Sequence, residues 1–138
     1  MDSVIEIENQ GPGEPWSECD FRKCLRKRNV VGVVAEIEYQ VVGFMLYELH
    51  QSMIRVLKFA VDSKVRRSGI GRQMVERIKD KLSQQRRTEL EISIPELNLP
   101  AQLFFAACDF VCEESRNDEY VFRYWIRNAA MMKDKVKK

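Results

Sequence analysis

Apolar and polar positions change period several times along the chain, and each change marks an element. Leu57, Phe59 and Val61 alternate with Val56, Lys58 and Ala60, a mostly apolar run with the period of a strand buried on most of its surface. Asp62, Ser63 and Lys64 break the run. Ile70, Met74, Val75, Ile78 and Leu82 then recur at helical spacing, with Arg72, Glu76, Lys79 and Lys81 around them, which predicts an amphipathic helix.

Upstream, Val4, Ile5 and Ile7 lead through Gly11-Pro12-Gly13 to Ser17, which can cap a helix carrying Phe21, Cys24 and Leu25 on one face. The β-branched and aromatic runs 30–37 and 41–49, joined around Glu38-Tyr39-Gln40, predict an antiparallel hairpin, and 53–61 is the third strand of a meander. Downstream, Leu90, Ile92 and Ile94 alternate with Glu89, Glu91 and Ser93, a two-faced strand stopped by Pro95. The order strand, helix, strand makes this one parallel to 53–61, with a right-handed crossover. Asn98 can cap a short helix through Phe104 and Phe105, and 110–112 and 120–126 form a closing hairpin across a polar turn 113–119.

The elements describe an α+β (α/β three-layer) fold, a mixed central sheet flanked by helices, and 138 residues suffice for one domain, 1–138, with one core. A net charge of +2 does not imply nucleic acid, and 128–138 reads as a basic tail. No apolar run approaches a membrane span and the start shows no secretory signal, so a cytoplasmic protein is expected. Cys19, Cys24, Cys108 and Cys112 lack the paired spacing of a zinc ribbon, and His50 is the one histidine; the cysteines read as reduced thiols, with no metal site.

The chemistry concentrates in Arg66-Arg67-Ser68-Gly69-Ile70-Gly71-Arg72. Glycine at a helix start lets a ligand approach the backbone, and the unpaired N–H groups of the first turn attract an anion, to which three arginines add charge. The motif predicts a phosphate or pyrophosphate ligand; the plainer reading is a tight turn with solvated arginines. It is neither a nucleoside-triphosphatase loop, which needs Lys-Ser/Thr after the last glycine, nor a dinucleotide fingerprint, since Met74 stands where the third glycine belongs.

Arg-x-x-Gly-x-Gly between a strand and an amphipathic helix resembles the pyrophosphate loop of the GCN5-related N-acetyltransferases. Pro15-Trp16-Ser17-Glu18, Val41-Val42-Gly43-Phe44, Phe59-Ala60-Val61 and Asn98-x-x-Ala101 running into Leu103-Phe104-Phe105 resemble the bacterial ribosomal-protein-alanine branch of that family, with the family's first strand missing here. The resemblance implies acetyl-coenzyme A as co-substrate and a protein or peptide N-terminus, or another amine, as acceptor. Phe59, Ala60 and Val61 would pair with the pantetheine arm, Arg66 to Arg72 would hold the pyrophosphate, and Asn98, otherwise a plain N-cap, would lie near the thiol end.

The chain departs from the family where the proton chemistry lies. Ser93 stands at the family's glutamate base and Phe105 at its tyrosine acid, and neither replacement does that job. Asp109 replaces a glycine before Phe110. Glu91, two residues before Ser93 on the same strand face, is a candidate base, or else a solvent-facing carboxylate. Tyr120 and Tyr124 are candidate acids, or else sheet-packing aromatics. The alternative function is therefore a catalytically weak or inactive acyl-coenzyme A-binding or interaction module of the same fold.

Overall fold

The computed structural model describes residues 1–126, so the basic tail lies outside the described residues. Six strands form one sheet in the order β1-β2-β3-β4-β6-β5: β1 (Val30–Ile37), β2 (Gln40–Leu49), β3 (Met53–Val61), β4 (Glu89–Pro95), β5 (Val111–Arg116) and β6 (Glu119–Trp125). All neighbours are antiparallel except β3 and β4, which the intervening helix α3 (Ile70–Lys79) makes parallel.

Helices cover both faces. On one, α3 and α4 (Leu99–Ala107) pack over Met45, Tyr47, Ile54, Val56, Leu90 and Ile92. On the other, α1 (Asp2–Glu8) and α2 (Glu18–Leu25) bury Ile7 and Phe21 against Phe44 and Leu46. Each such side chain, fully buried, contributes roughly 1.5–3 kcal/mol, so the cores hold the three layers together. The Ser17 cap forms as a reciprocal box: the Asp20 N–H donates to the Ser17 hydroxyl at 3.2 Å and the Ser17 N–H to the Asp20 carboxylate at 2.9 Å.

Two local expectations are corrected. Strict alternation through β3 fails, because the β2 partner shifts from Val56 at Tyr47 to Lys58 at Leu46, leaving Leu57 as a bulge. Val56 therefore shares a face with Phe59 and Val61, and Leu57 turns to the opposite core. The closing hairpin is also tighter than its polar stretch implies. β5 runs to Arg116 and turns on Asn117 and Asp118 alone, at φ 49° and 64°. An edge strand exposed throughout needs no apolar face, so its second half, 113–116, carries no strand signal. Val4, Ile5 and Ile7 belong to α1, ahead of the loop at 11–13.

Candidate functional site

β3 and β4 pair only from Met53↔Glu89 to Val56↔Ile92. Beyond that point β3 stays bonded to β2, with Gly43 facing Val61, while β4 stays bonded to β6 as far as Pro95. The two parallel strands thus part, and the backbone of 57–61 facing β4 has no strand partner. Phe59, Ala60 and Val61 form one wall of this cleft. The Phe59 ring closes it toward α4, with centroids 5.7 Å from Phe104 and 5.3 Å from Phe105.

At the end of β3, Asp62 turns the chain by accepting from the Lys64 N–H at 3.0 Å, a bond that holds its carboxyl below the usual carboxylate range. Gln10, just past α1, ties the turn down: its carbonyl accepts from the Ser63 N–H at 2.8 Å and its amide donates to Asp62 at 3.3 Å. The Ser68 hydroxyl donates to the Val65 carbonyl. Gly69 is the N-cap of α3 at φ 87°, with open space where a side chain would stand, and Arg67 is also left-handed at φ 68°. The first backbone bond of α3 runs from the Gln73 N–H to the Gly69 carbonyl at 3.0 Å. The N–H groups of Ile70, Gly71 and Arg72 therefore have no acceptor among the described residues, and they point out of a helix N-terminus where an anion is favoured.

The arginines divide their work. Arg66 Nε reaches back to the Val61 carbonyl at 3.3 Å, and Arg72 Nη2 donates to the Ala107 carbonyl at 3.2 Å, at the C-terminus of α4. Arg67 makes no side-chain bond among the described residues. Of the three guanidinium groups, one is free, one braces the cleft wall and one clamps two helices. Asn98 caps α4 through a 3.3 Å bond from the Ala101 N–H to its side-chain oxygen, leaving its amide nitrogen free of acceptors among the described residues. Free amides, a free guanidinium and an unpaired strand edge fit a ligand with a diphosphate and an amide-bearing arm.

The candidate catalytic residues do not converge. Ser93 is exposed on β4 at the level where the cleft opens. Glu91 shares its face but is no solvent-facing carboxylate: it is 3% exposed, bound by Arg55 at 3.2 Å, Arg123 at 3.3 Å and Arg116 at 3.4 Å. Both of its oxygens are thus engaged by guanidinium groups. Glu114 bridges Arg116 and Arg123, and Glu48 meets Arg55 at 3.6 Å. Nothing local in the sequence marks this cluster: Arg55, Glu91 and Arg123 meet only because they lie in register on three adjacent strands.

Phe105 is 4% exposed, packed among Phe59, Phe104 and Phe110. Tyr120 pairs with Ile94, level with the cleft. Tyr124 pairs with Leu90, away from it, beneath the Lys79 ammonium 4.2 Å from its ring centroid. Burial pushes the Cys24 and Cys108 thiols up, and all four cysteines are free. No group of metal-ligating side chains occurs among the described residues, and no described helix is long and apolar enough to cross a membrane.

Solved structures share this architecture. The ribosomal-protein-S18-alanine N-acetyltransferase of Escherichia coli superposes with a TM-score of 0.79 at 19% identity, over 93% of this chain and 88% of that one. Ard1 of Thermoplasma volcanium gives 0.80 at 20% identity, over 92% and 91%. The PaiA N-acetyltransferase of Thermoplasma acidophilum, solved with coenzyme A, gives 0.67 at 11%, over 71% and 62%. No curated protein sequence matches the chain. The model of the acetyltransferase (GNAT) family matches residues 1–110, and the chain belongs to that family, an N-acetyltransferase fold built for an acyl-coenzyme A donor and an amine acceptor.

Proposed function

We propose that the protein transfers the acetyl group of acetyl-coenzyme A to the α-amine of a protein N-terminus, within the cytoplasm. The observation that carries the donor half is the parting of β3 and β4 beside a helix start with three unpaired amides. The diphosphate would lie against the Ile70, Gly71 and Arg72 amides with Arg67 beside it. The pantetheine arm would add to the edge of 59–61 that has no strand partner, as an extended peptide adds to a sheet. Asn98 would turn its free amide to the arm near the thiol. The acceptor half rests on likeness to the ribosomal-protein-alanine and Ard1 structures.

The reaction needs a neutral amine, a route for its proton and a proton for the departing thiolate. One face of the cleft is filled by Phe59, Phe104 and Phe105, so the amine would arrive on the opposite face, beside the exposed Ser93 hydroxyl. Serine lacks the basicity to take the proton, which would go instead to a water held by the Ser93 hydroxyl and on to bulk solvent. Glu91, enclosed by guanidinium groups, would hold the strand face in shape, and Tyr120 at the cleft's level would supply the thiolate proton. Tyr124 would serve packing.

Ser93 and Phe105 also favour a second reading, an acyl-coenzyme A-binding module with little turnover. Calorimetry with acetyl-coenzyme A tests the cleft, and release of free thiol with alanine-starting peptides tests transfer. Binding plus thiol release supports the enzyme. Binding without release over a broad panel of amines supports the module, and no binding overturns both.

A further inference from the structure

Among the described residues two carboxylates are buried, Glu91 and Glu8. Glu8 ends α1, and its Oε2 accepts from the Lys58 ammonium at 2.6 Å and from the Trp16 N–H at 2.9 Å. The same ammonium lies 4.6 Å from the centroid of the Trp16 ring, so Lys58 is fixed on two sides, with 22% of its side chain exposed.

Lys58 stands on the unpaired wall of the cleft. The last pair between β3 and β4 is Val56↔Ile92, and Leu57 bulges, so Lys58 is the next position along β3 as Ser93 is along β4. Their faces agree. Lys58 pairs with Leu46, which belongs to the core under α1 and α2, whereas Ser93 is flanked by Ile92 and Ile94, which point into the other core. Lys58 and Ser93 thus occupy the two banks of the gap, on the face opposite the phenylalanines.

We propose that the Lys58 ammonium holds the incoming acceptor amine in its neutral, attacking form, supplying by its field what a general base would supply by taking the proton; this rests on the acetyl transfer proposed above. A positive charge beside an amine disfavours the protonated form, and more so where water is scarce. The ion pair is oriented for the task. α1 packs on β2 and β3, so the Glu8 carboxylate lies on the far side of Lys58 from the gap, and the ammonium is the end nearer the path of the amine. Other charges on this face are engaged elsewhere: Asp20 of α2 in its cap with Ser17 and beside Lys23, and Glu91, across the gap, with Arg55, Arg116 and Arg123. The face of Trp16 that would attract an acceptor's ammonium is already taken by Lys58. An ammonium that enters therefore gives its proton to the water at Ser93, and on to solvent, before the nitrogen attacks.

Steady-state thiol release from acetyl-coenzyme A with an alanine-starting peptide, followed between about pH 6 and 9, tests this, because kcat/KM reports the free amine and kcat the bound one. The kcat midpoint should fall below the free amine's value of about 7.7–8.0, and kcat/KM should follow the free value in every variant. Lys58→Met leaves the Glu8 charge unopposed and should raise the kcat midpoint by about one unit, Glu8→Gln leaves the ammonium unopposed and should lower it, and Lys58→Arg should leave it in place. Both Lys58→Met and Glu8→Gln break one ion pair, so a merely structural tie would move the midpoint the same way in both, or in neither. Should Lys58→Met unfold because a buried carboxylate has lost its ammonium, the double variant Glu8→Gln/Lys58→Met removes both charges and should return the midpoint to the free amine's value. Shifts of one sign, or a midpoint that does not move, overturn the assignment to Lys58. Thiol release with no amine by the unaltered chain overturns the transfer reading, and this inference with it.

Discussion

The Cβ that Gly71 lacks would stand 3.1 Å from Cζ of Phe104 and 3.6 Å from Cγ2 of Val61. Gly71 is thus where the first turn of α3 presses against α4 and the end of β3, with its amide left facing the loop. Its neighbour Gly69 meets nothing within 4 Å and is glycine because φ is 87°. Two glycines two residues apart serve different purposes, one of space and one of backbone conformation.

Gly71→Glu should abolish binding of acetyl-coenzyme A, because the side chain drives Phe104 aside, displaces the loop and adds negative charge at the anion site. Gly69→Ala should instead cost about 1–2 kcal/mol of stability through strain in the left-handed region, with a smaller loss of affinity. Calorimetry and denaturant titration on both variants separate the two effects. Unchanged affinity in Gly71→Glu contradicts the loop's assignment.

Ser93→Glu should raise the rate of thiol release about tenfold or more, since a general base contributes on the order of 10²–10⁴-fold and the position is exposed enough to accept a carboxylate. Phe105→Tyr should behave otherwise. It buries a hydroxyl among Phe59, Phe104 and Phe110, and a hydroxyl left without a partner costs about 1–3 kcal/mol. Steady-state rates and melting curves of the single and double variants decide whether the acid position is closed.

Glu91→Gln should lower stability by about 2–3 kcal/mol, below the roughly 3–5 kcal/mol of a fully buried pair, because Arg55 and Arg116 are half-exposed. The midpoint of urea unfolding should fall at unchanged slope. If turnover fell more than the folded fraction does, Glu91 would be acting in the proton path after all.

The Ser17 N–H, then its hydroxyl, hold the Asp20 carboxyl below its ordinary value. A carboxyl depressed in the folded state stabilises above its unfolded value, and that contribution disappears as pH falls through the folded value. Asp20→Asn should therefore lower stability at neutral pH and flatten the acid limb, so that the two profiles converge in acid. Unfolding midpoints measured from pH 7 into the acid range check the sign.

Much of the architecture was legible in the chain because period reports burial. The helical stripe of Met74, Val75 and Ile78, the alternation of Leu90, Ile92 and Ile94, and the Ser17 and Asn98 caps all depend on neighbours within a few residues. Departures came where the cause was distant. The bulge at Leu57 depends on how β2 seats against β3, and β5 forms because β6 offers it a ladder, whatever its side chains.

The candidate site divides the same way. Arg66 to Arg72 could be picked out locally, since glycine and arginine at a helix start are a local chemical fact. Which arginine remains free was settled by Val61 and Ala107, residues near it only in space. Glu91 looked like a surface carboxylate, yet three arginines from β3, β5 and β6 enclose it. Local order along the chain sets the elements and the anion loop; contacts across strands set where the sheet parts, which charges are spent and which edge stays open, because hydrogen bonds and ion pairs form between whatever folding brings together.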